Sequence, residues 1–243
     1  MFEFLNTTDL IVLAIAYIYV VVIFVLSEFV LDLSPSFSRK FLHIMVGNCV
    51  FLMPFFVNPY NALFITVPFT IVTFLLTEYS PIKIENSVTS SGHALGLLYY
   101  AATWTALIIL FPFNNLVIVA LAIAAMCYGD GFAAVIGEKY GKHEYNISGD
   151  KKTIEGSTAM FLACVIASCA IIGFYNLLVY FKFLTFAYIP FDLVVIAIIA
   201  LIATVVEAIT PKGLDNVTAC FTTAILYVAY ILVFNGISIL PVH

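Results

Sequence analysis

Long apolar runs dominate this sequence and restrict it to the folds that a bilayer permits. A helix needs roughly 20 apolar residues to cross the hydrocarbon core. Eight runs approach that length, at about 10–31, 41–57, 60–77, 95–113, 116–136, 158–181, 188–209 and 217–240. They are continuous and do not alternate apolar with polar residues, which argues against an outer-membrane barrel. We therefore predict an all-α, polytopic integral membrane protein, a single domain of about eight transmembrane helices.

The composition supports the same class. Hydrophobic residues make up 64% of the chain and charged residues 9%, whereas a soluble domain has about 45 to 50% apolar and about 25% charged residues. The net charge is −5 and no basic run is present, so we expect membrane lipids and no nucleic acid among its partners. The longest polar stretch covers about 138–156, so any chemistry must lie on short loops and helix ends.

The basic residues predict the orientation, because cytoplasmic loops accumulate Lys and Arg. Only Lys182 lies between an even-numbered run and the next odd-numbered one. The other eight basic residues lie in loops that follow odd-numbered runs: Arg39, Lys40, Lys83, Lys139, Lys142, Lys151, Lys152 and Lys212. We expect these four loops to be cytoplasmic and both termini to lie outside. The same loops hold most of the acidic residues, which favours a metal and phosphate site there over simple solvated loops.

One carboxylate lies at the end of the fifth run, in Gly129-Asp130-Gly131. A carboxylate within an apolar span is costly, so Asp130 is a candidate functional residue. The spacing of Gly129, Ala133 and Gly137 is also typical of a small-residue contact face between helices. Helix packing therefore explains the glycines but not Asp130.

The following loop ends at 149–157 with two lysines, immediately before the sixth run. Thr153 or Ser157 can cap that helix, and its free amides together with Lys151 and Lys152 favour a phosphate. The loop lacks the Walker A spacing, which argues against a P-loop nucleotidase. A plain capped helix with two lysines remains the alternative.

Glu207 lies just inside the seventh run and is followed by a turn. Pro211–Gly213 can bring Lys212, Asp215 and Asn216 back toward it. Two carboxylates and an amide oxygen around one turn suit a hard metal ion. The alternative is a cap at the membrane interface with Lys212 extending toward water.

The second run opens with Arg39, His43 and Gly47, which share one helix face. Arg39 is the one arginine of the chain, and its planar fork suits bidentate phosphate binding. An interfacial anchor beside a buried histidine explains the same residues.

Taken together, four segments resemble the polyprenol kinase family, which includes dolichol kinase, phytol kinase and CTP-dependent diacylglycerol kinase. The resemblance extends from residue 38 to about 220, and the family is distantly similar to CDP-diacylglycerol synthases. The segments are Arg39-Lys40-x-x-His43-x-x-x-Gly47, Gly129-Asp130-x-x-Ala133-x-x-x-Gly137, Lys152-Thr153-x-Glu155-Gly156-Ser157 and Glu207-x-x-x-Pro211-Lys212-Gly213-x-Asp215-Asn216. The third and fourth are the most specific.

This resemblance implies transfer of the γ-phosphate of CTP to a polyprenol, a phytol-like isoprenoid alcohol or diacylglycerol. In such an enzyme Asp130 and Asp215 would bind Mg²⁺, Glu207 would be a further ligand or the base, and His43 would orient Asp130 or a phosphate. The residues expected to bind the nucleotide are Arg39, Lys151, Lys152, Thr153, Glu155, Gly156, Ser157, Lys212 and Asn216. The residues by themselves indicate only a metal and phosphate site on the cytoplasmic face.

Two other functions remain open from the sequence. A CTP:phosphatidate cytidylyltransferase would use the same metal and lysines but attack the α-phosphorus. A transporter would place charged residues near the bilayer midplane, often within an inverted repeat, and this chain has its charges at one face. The sequence contains no pattern that identifies the particular lipid alcohol or the oligomeric state.

Overall fold

Helices make up almost all of the computed structural model, which describes residues 5–31, 35–81, 94–111, 116–147, 149, 151–185, 188–211 and 213–235. Within these ranges two short strands, β1 (Glu144–Tyr145) and β2 (Lys152–Thr153), form an antiparallel hairpin. The α-helices are α1 Thr7–Val25, α2 Pro35–Val46, α3 Leu63–Leu75, α4 Ala94–Leu110, α5 Val117–Ala124, α6 Gly131–Tyr140, α7 Ile154–Tyr180, α8 Leu193–Ile209 and α9 Asp215–Asn235. The predicted all-α class is confirmed.

The helices coincide with the apolar runs of the sequence. Among the described residues, four stretches are long and apolar enough to cross a membrane: Thr7–Val25, Val117–Tyr140, Ile154–Tyr180 and Asp215–Val233. Shorter apolar helices cover the other runs, at Lys40–Phe55, Pro59–Leu75, Leu95–Leu110 and Leu193–Ile209. A membrane protein of several spans is therefore shown, while eight crossings stay a prediction.

Helix α5 forms the centre of the bundle. All of its residues are buried, as expected for a helix that is apolar on every side. It packs against α7 and α9 and continues into a π-helical turn, Ala125–Asp130, before α6 begins. Asp130 therefore lies where the π-turn ends. It is the one acidic residue between the start of α5 and that position.

The small-residue face predicted from the sequence brings α6 and α7 close together. A Cβ on Gly129 would lie 2.6 Å from Cys164 Sγ, and one on Gly156 would lie 2.9 Å from the Ala133 carbonyl oxygen. Gly137 approaches the same region, 3.4 Å from the Cβ position of Gly156. The helix contact face is therefore confirmed, and it sets Asp130 beside the start of α7.

Described segments that flank the loops after odd-numbered runs meet at one end of the bundle. Contacts between them are the Lys40–Glu138 ion pair, the Lys152–Glu207 ion pair and the hydrogen bond from Asn216 Nδ2 to the Gly96 carbonyl oxygen. These contacts join the segments around α2, α4, the hairpin and the α8–α9 turn. Which side of the membrane this end faces stays a prediction from the basic residues.

The opposite end holds a buried carboxylate with a structural role. Asp9 is fully buried at the start of α1. Its Oδ1 accepts from the Val57 amide at 2.7 Å, and its Oδ2 accepts from Asn61 Nδ2 at 2.6 Å. Because its oxygens are satisfied by protein donors, Asp9 joins α1 to the segment before α3.

Candidate active site

Three carboxylates from distant parts of the chain converge at the loop-rich end. Asp130, Glu207 and Asp215 each offer an oxygen, and these oxygens all lie within 4.8 Å of one another. Glu207 and Asp215 are buried, and Asp130 is partly exposed. Carboxylates this close repel one another unless a cation is present.

Local backbone geometry positions two of these carboxylates. The π-turn Ala125–Asp130 ends at Asp130, and single π-turns inside helices frequently occur at functional sites. Asp215 follows Gly213, whose φ of +92° favours glycine. Asp215 Oδ1 accepts from the amides of Gly213 and Asn216 at 2.9 and 3.0 Å, which fixes the carboxylate and leaves Oδ2 facing the cluster.

Lys152 supplies the positive charge of the cluster. Its Nζ lies 2.6 Å from Glu207 Oε1 and 3.8 Å from Asp215 Oδ2. It also donates to the backbone carbonyl oxygens of Glu207 and Thr210. The Lys152 side chain is only 13% exposed, so a single ammonium bridges the end of α8 and the start of α9.

His43 connects α2 to the π-turn. Its Nε2 lies 3.1 Å from the Met126 carbonyl oxygen, to which it must donate a proton, and 3.8 Å from Asp130 Oδ2. The imidazole also packs against the Tyr100 ring, with 4.6 Å between ring centroids. His43 thereby contacts the segment that carries Asp130, and its orienting role stays a prediction.

Asn216, which follows Asp215 in the chain, carries an unpaired buried acceptor. Its Nδ2 donates to the Gly96 carbonyl oxygen at 3.3 Å, whereas its buried Oδ1 has no hydrogen-bond partner among the described residues. A buried acceptor without a partner is costly. An oxygen of this kind directly after Asp215 in the chain suits a cation or a donor group of a ligand.

The N-terminus of α7 is capped as predicted. Thr153 Oγ1 accepts from the Gly156 amide at 3.1 Å, and the Ile154 amide donates to the His143 carbonyl oxygen at 3.0 Å. Ser157 Oγ lies 2.6 Å from the Tyr145 hydroxyl. Two of the first amides are therefore already paired, so lysine side chains are the better candidates to bind phosphates.

Two other residues predicted to bind the nucleotide contact the hairpin instead of the carboxylates. Glu155 lies 2.6 Å from His143 Nδ1 and accepts from the amides of Lys142 and His143. Lys151, largely exposed, pairs with Glu144 at 3.0 Å. Both sets of contacts stabilise the hairpin that carries Lys152.

Two predicted phosphate ligands cannot be placed against the cluster. Lys212 lies outside the described residues. Arg39 belongs to the first half of α2, on the helix that also carries His43, and its side chain lies outside the described part. Both keep the roles predicted for them from the sequence.

Sequence reasoning did not single out Tyr145 or Gly96. Tyr145 lies in a polar hairpin with no hydrophobic period, and Gly96 contributes only a backbone oxygen. A single sequence carries no signal for either contact, since both depend on how distant segments pack.

Three converging carboxylates could hold a metal ion, and oxygen ligands of this kind suit a hard cation such as Mg²⁺. Mg²⁺ binds oxygen ligands at about 2.0 to 2.1 Å, which places the ligand atoms about 3 to 4 Å apart. The carboxylate oxygens, which lie within 4.8 Å of one another, would need to approach by up to about 1 to 2 Å to bind one such ion. The unpaired Asn216 oxygen adds an acceptor of the right chemistry.

Curated relatives of the chain carry one activity in their names. A probable chloroplastic phytol kinase of Triticum aestivum is 31% identical over 219 residues, covering 83% of this chain and 69% of the relative. The phytol kinase of a Synechocystis species is 29% identical over 199 residues, covering 81% and 80%. Phytol kinase 1 of Arabidopsis thaliana is 29% identical over 206 residues, covering 79% and 65%.

No family model and no solved structure matches the chain. The relatives nevertheless match it over about four fifths of its length. This extent of similarity agrees with the motifs that surround Asp130, Lys152 and Asp215. The chain belongs to the polyprenol and phytol kinase family of lipid-alcohol kinases.

Proposed function

We propose that this protein transfers the γ-phosphate of CTP to the hydroxyl of an isoprenoid alcohol at the membrane surface, with phytol as the first candidate acceptor. The observation that carries the proposal is the convergence of Asp130, Glu207 and Asp215 around Lys152. The phytol kinase relatives support the lipid alcohol as acceptor. CTP as the donor rests on the resemblance of the motifs.

Asp130 and Asp215 are the proposed Mg²⁺ ligands, with Glu207 as a third ligand or as the base. When bound, Mg²⁺ would neutralise the donor phosphates and hold them for in-line attack. The Asn216 oxygen, the unpaired buried acceptor, would complete the protein side of the site. Phosphoryl transfer depends on such positioning and charge neutralisation more than on covalent chemistry.

Lys152 would change partner during the reaction cycle. Its ammonium bridges Glu207 and Asp215, two carboxylates of the cluster in which a divalent cation would bind. Two cations at one site repel each other, so Lys152 would turn from the carboxylates toward the phosphates of the donor. It would then stabilise charge that develops on the transferred phosphoryl group.

Glu207 is the best placed candidate base. A base must lie within hydrogen-bond reach of the proton that it accepts, and Glu207 lies buried in the last turn of α8, next to Lys152. Once Lys152 has turned to the donor, Glu207 Oε1 is free to accept the alcohol proton. Arg39 and Lys212, which are predicted phosphate ligands, would complete the contacts with the donor phosphates.

The proposal is tested by offering purified protein phytol, a polyprenol or diacylglycerol with CTP or ATP. Lipid products are identified by mass spectrometry, and samples with Mg²⁺ chelated serve as controls. We expect phytyl monophosphate with CTP and Mg²⁺, and little product with ATP. Absence of any phosphorylated lipid from folded, membrane-inserted protein would refute the proposed activity.

A further inference from the structure

An apolar groove runs between α7 and α8 on the surface that faces the bilayer. It consists of two adjoining cavities, about 530 Å³ near the hairpin and about 390 Å³ farther along the helices. Phe161 and Leu201 line both cavities, so the two form one continuous groove. At 1.5 Å per residue, its extent along α8 from Leu193 to Ile209 is about 24 Å.

The two ends of this α7–α8 groove differ in chemistry. At the hairpin end it is lined by Tyr145 and Ser157, whose hydroxyl oxygens lie 2.6 Å apart, and by Thr204. At the far end the lining residues are apolar and include Leu193 and Ala197. This polarity matches a molecule with a hydroxyl at one end and a long hydrocarbon tail.

The polar end of the groove is formed by the segments that carry Lys152 and Glu207, and Tyr145 in its lining pairs with Lys152 in the hairpin. Thr204 and Ala208 line the groove, and Glu207 lies between them in sequence, one helical turn from Thr204. Lys152 reaches the carbonyl oxygens of Glu207 and Thr210 at the end of the same helix. A hydroxyl held at the polar end would therefore lie beside the segments that carry Lys152 and the candidate base.

We propose that the α7–α8 groove binds the tail of the alcohol acceptor, with the acceptor hydroxyl beside the Tyr145–Ser157 pair. This inference rests on the proposed kinase function and assigns Ser157 to the acceptor instead of the nucleotide. The occupant proposed is a single-chain prenyl alcohol, in line with the phytol kinase relatives of the chain. The groove, about 24 Å long, is also longer than the hydrocarbon thickness of one bilayer leaflet, about 15 Å. It can therefore hold a long tail along its whole length.

The first test is photolabelling of the full-length protein in phosphatidylcholine nanodiscs with a diazirine-bearing prenyl alcohol of phytol length. We expect labelled Phe161 and Leu201, with labelling reduced by unlabelled phytol but not by added phospholipid. Ile166, on α7 outside the groove and 68% exposed, serves as the reference for general lipid contact. If Ile166 and Leu201 are labelled equally and unlabelled phytol does not reduce the labelling, only bulk lipid covers the groove. That result would overturn the proposal.

The second test compares Ala197→Trp, which fills the far end of the groove, with Ala170→Trp on an exposed position of α7 outside it. We expect Ala197→Trp to raise the apparent KM for phytol by about tenfold, because tail contacts are lost. The KM for geraniol, a prenyl alcohol half as long, should hardly change in either variant. Equal KM values for phytol in the two variants would overturn the groove assignment.

The two tests separate this inference from the proposed function. Photolabelling needs no turnover, so competed labelling of the groove without any phosphorylated product would reject the kinase while supporting the groove. If phytol is phosphorylated and the two tryptophan variants have the same KM for phytol, the groove assignment is rejected and the kinase function is supported. Activity on geraniol also shows that Ala197→Trp is folded.

Discussion

The Lys152 ammonium lies 2.6 Å from Glu207 Oε1 across 55 positions of the chain. Both side chains are largely buried, at 13% and 6% exposure. With Asp215 Oδ2 at 3.8 Å, Lys152 acts as a counter-ion of the carboxylate cluster. The same residue is a proposed phosphate ligand, so its loss should affect both stability and catalysis.

Replacing Lys152 by Ala should make stability strongly dependent on Mg²⁺. Removing one partner of a buried ion pair costs about 3 to 5 kcal/mol, and a metal that binds only the folded state restores stability. We expect a lower unfolding temperature without Mg²⁺, a larger rise on Mg²⁺ addition than in the parent protein, and a higher CTP requirement. Lys151→Ala, at the exposed neighbouring lysine, is the control, and an identical Mg²⁺ response in both variants would argue against the bridging role.

The single substitutions Asp130→Asn and Asp215→Asn should each remove nearly all activity. The amide is similar in size but cannot supply the negative charge that a hard cation needs, so we expect turnover to fall at least about 100-fold. The matched control is Asp192→Asn, because Asp192 caps α8 through the amides of Val194 and Val195 and Asn caps equally well. Near-normal turnover in both cluster variants, measured on protein that inserts and purifies normally, would place the metal elsewhere.

His43→Ala should weaken Mg²⁺ use more than it affects folding. The imidazole donates to the Met126 carbonyl oxygen and faces Asp130, and loss of such supporting contacts typically costs 10- to 100-fold in metal affinity or activity. We expect a higher Mg²⁺ concentration at half-maximal activity, with partial rescue in His43→Gln, which keeps an N–H donor. If both variants show unchanged Mg²⁺ dependence, His43 serves only to pack against Tyr100.

The orientation prediction can be tested with introduced cysteines. Tyr60→Cys, at a position that is 49% exposed, should react with an impermeant reagent from outside, whereas Glu144→Cys should react only from the cytoplasmic side. The background carries Cys169→Ser, because the other four native cysteines are buried. The reverse labelling pattern would invert the topology and move the site away from cytosolic CTP.

The sequence predicted the fold class because a bilayer permits few structures for long apolar runs. It also selected Asp130 and Glu207, since a carboxylate inside an apolar run is costly unless it has a function. The small-residue spacing from Gly129 predicted the contact of α6 with α7. These inferences need only local pattern, and the structure bears out the helices and that contact.

The distances within the site could not be predicted in the same way. Lys152 meets Glu207 because the hairpin folds over the end of α8, and no local pattern encodes that contact. Glu155 lies in one of the two most specific motifs, yet it contacts His143 and the hairpin amides. The π-turn before Asp130 likewise depends on packing around the central helix. Through-space arrangements of this kind follow from tertiary packing, which one sequence does not reveal.

The most direct test of the central claim follows the phosphorus atoms of CTP. Purified protein is incubated with phytol, Mg²⁺ and CTP labelled at either the α- or the γ-phosphorus. Phosphoryl transfer at the carboxylate cluster predicts that the γ-label enters the lipid, that CDP forms in equal amount and that the α-label stays in the nucleotide. Release of pyrophosphate together with a cytidine-bearing lipid that carries the α-label would contradict the kinase reaction and indicate a CDP-lipid synthase.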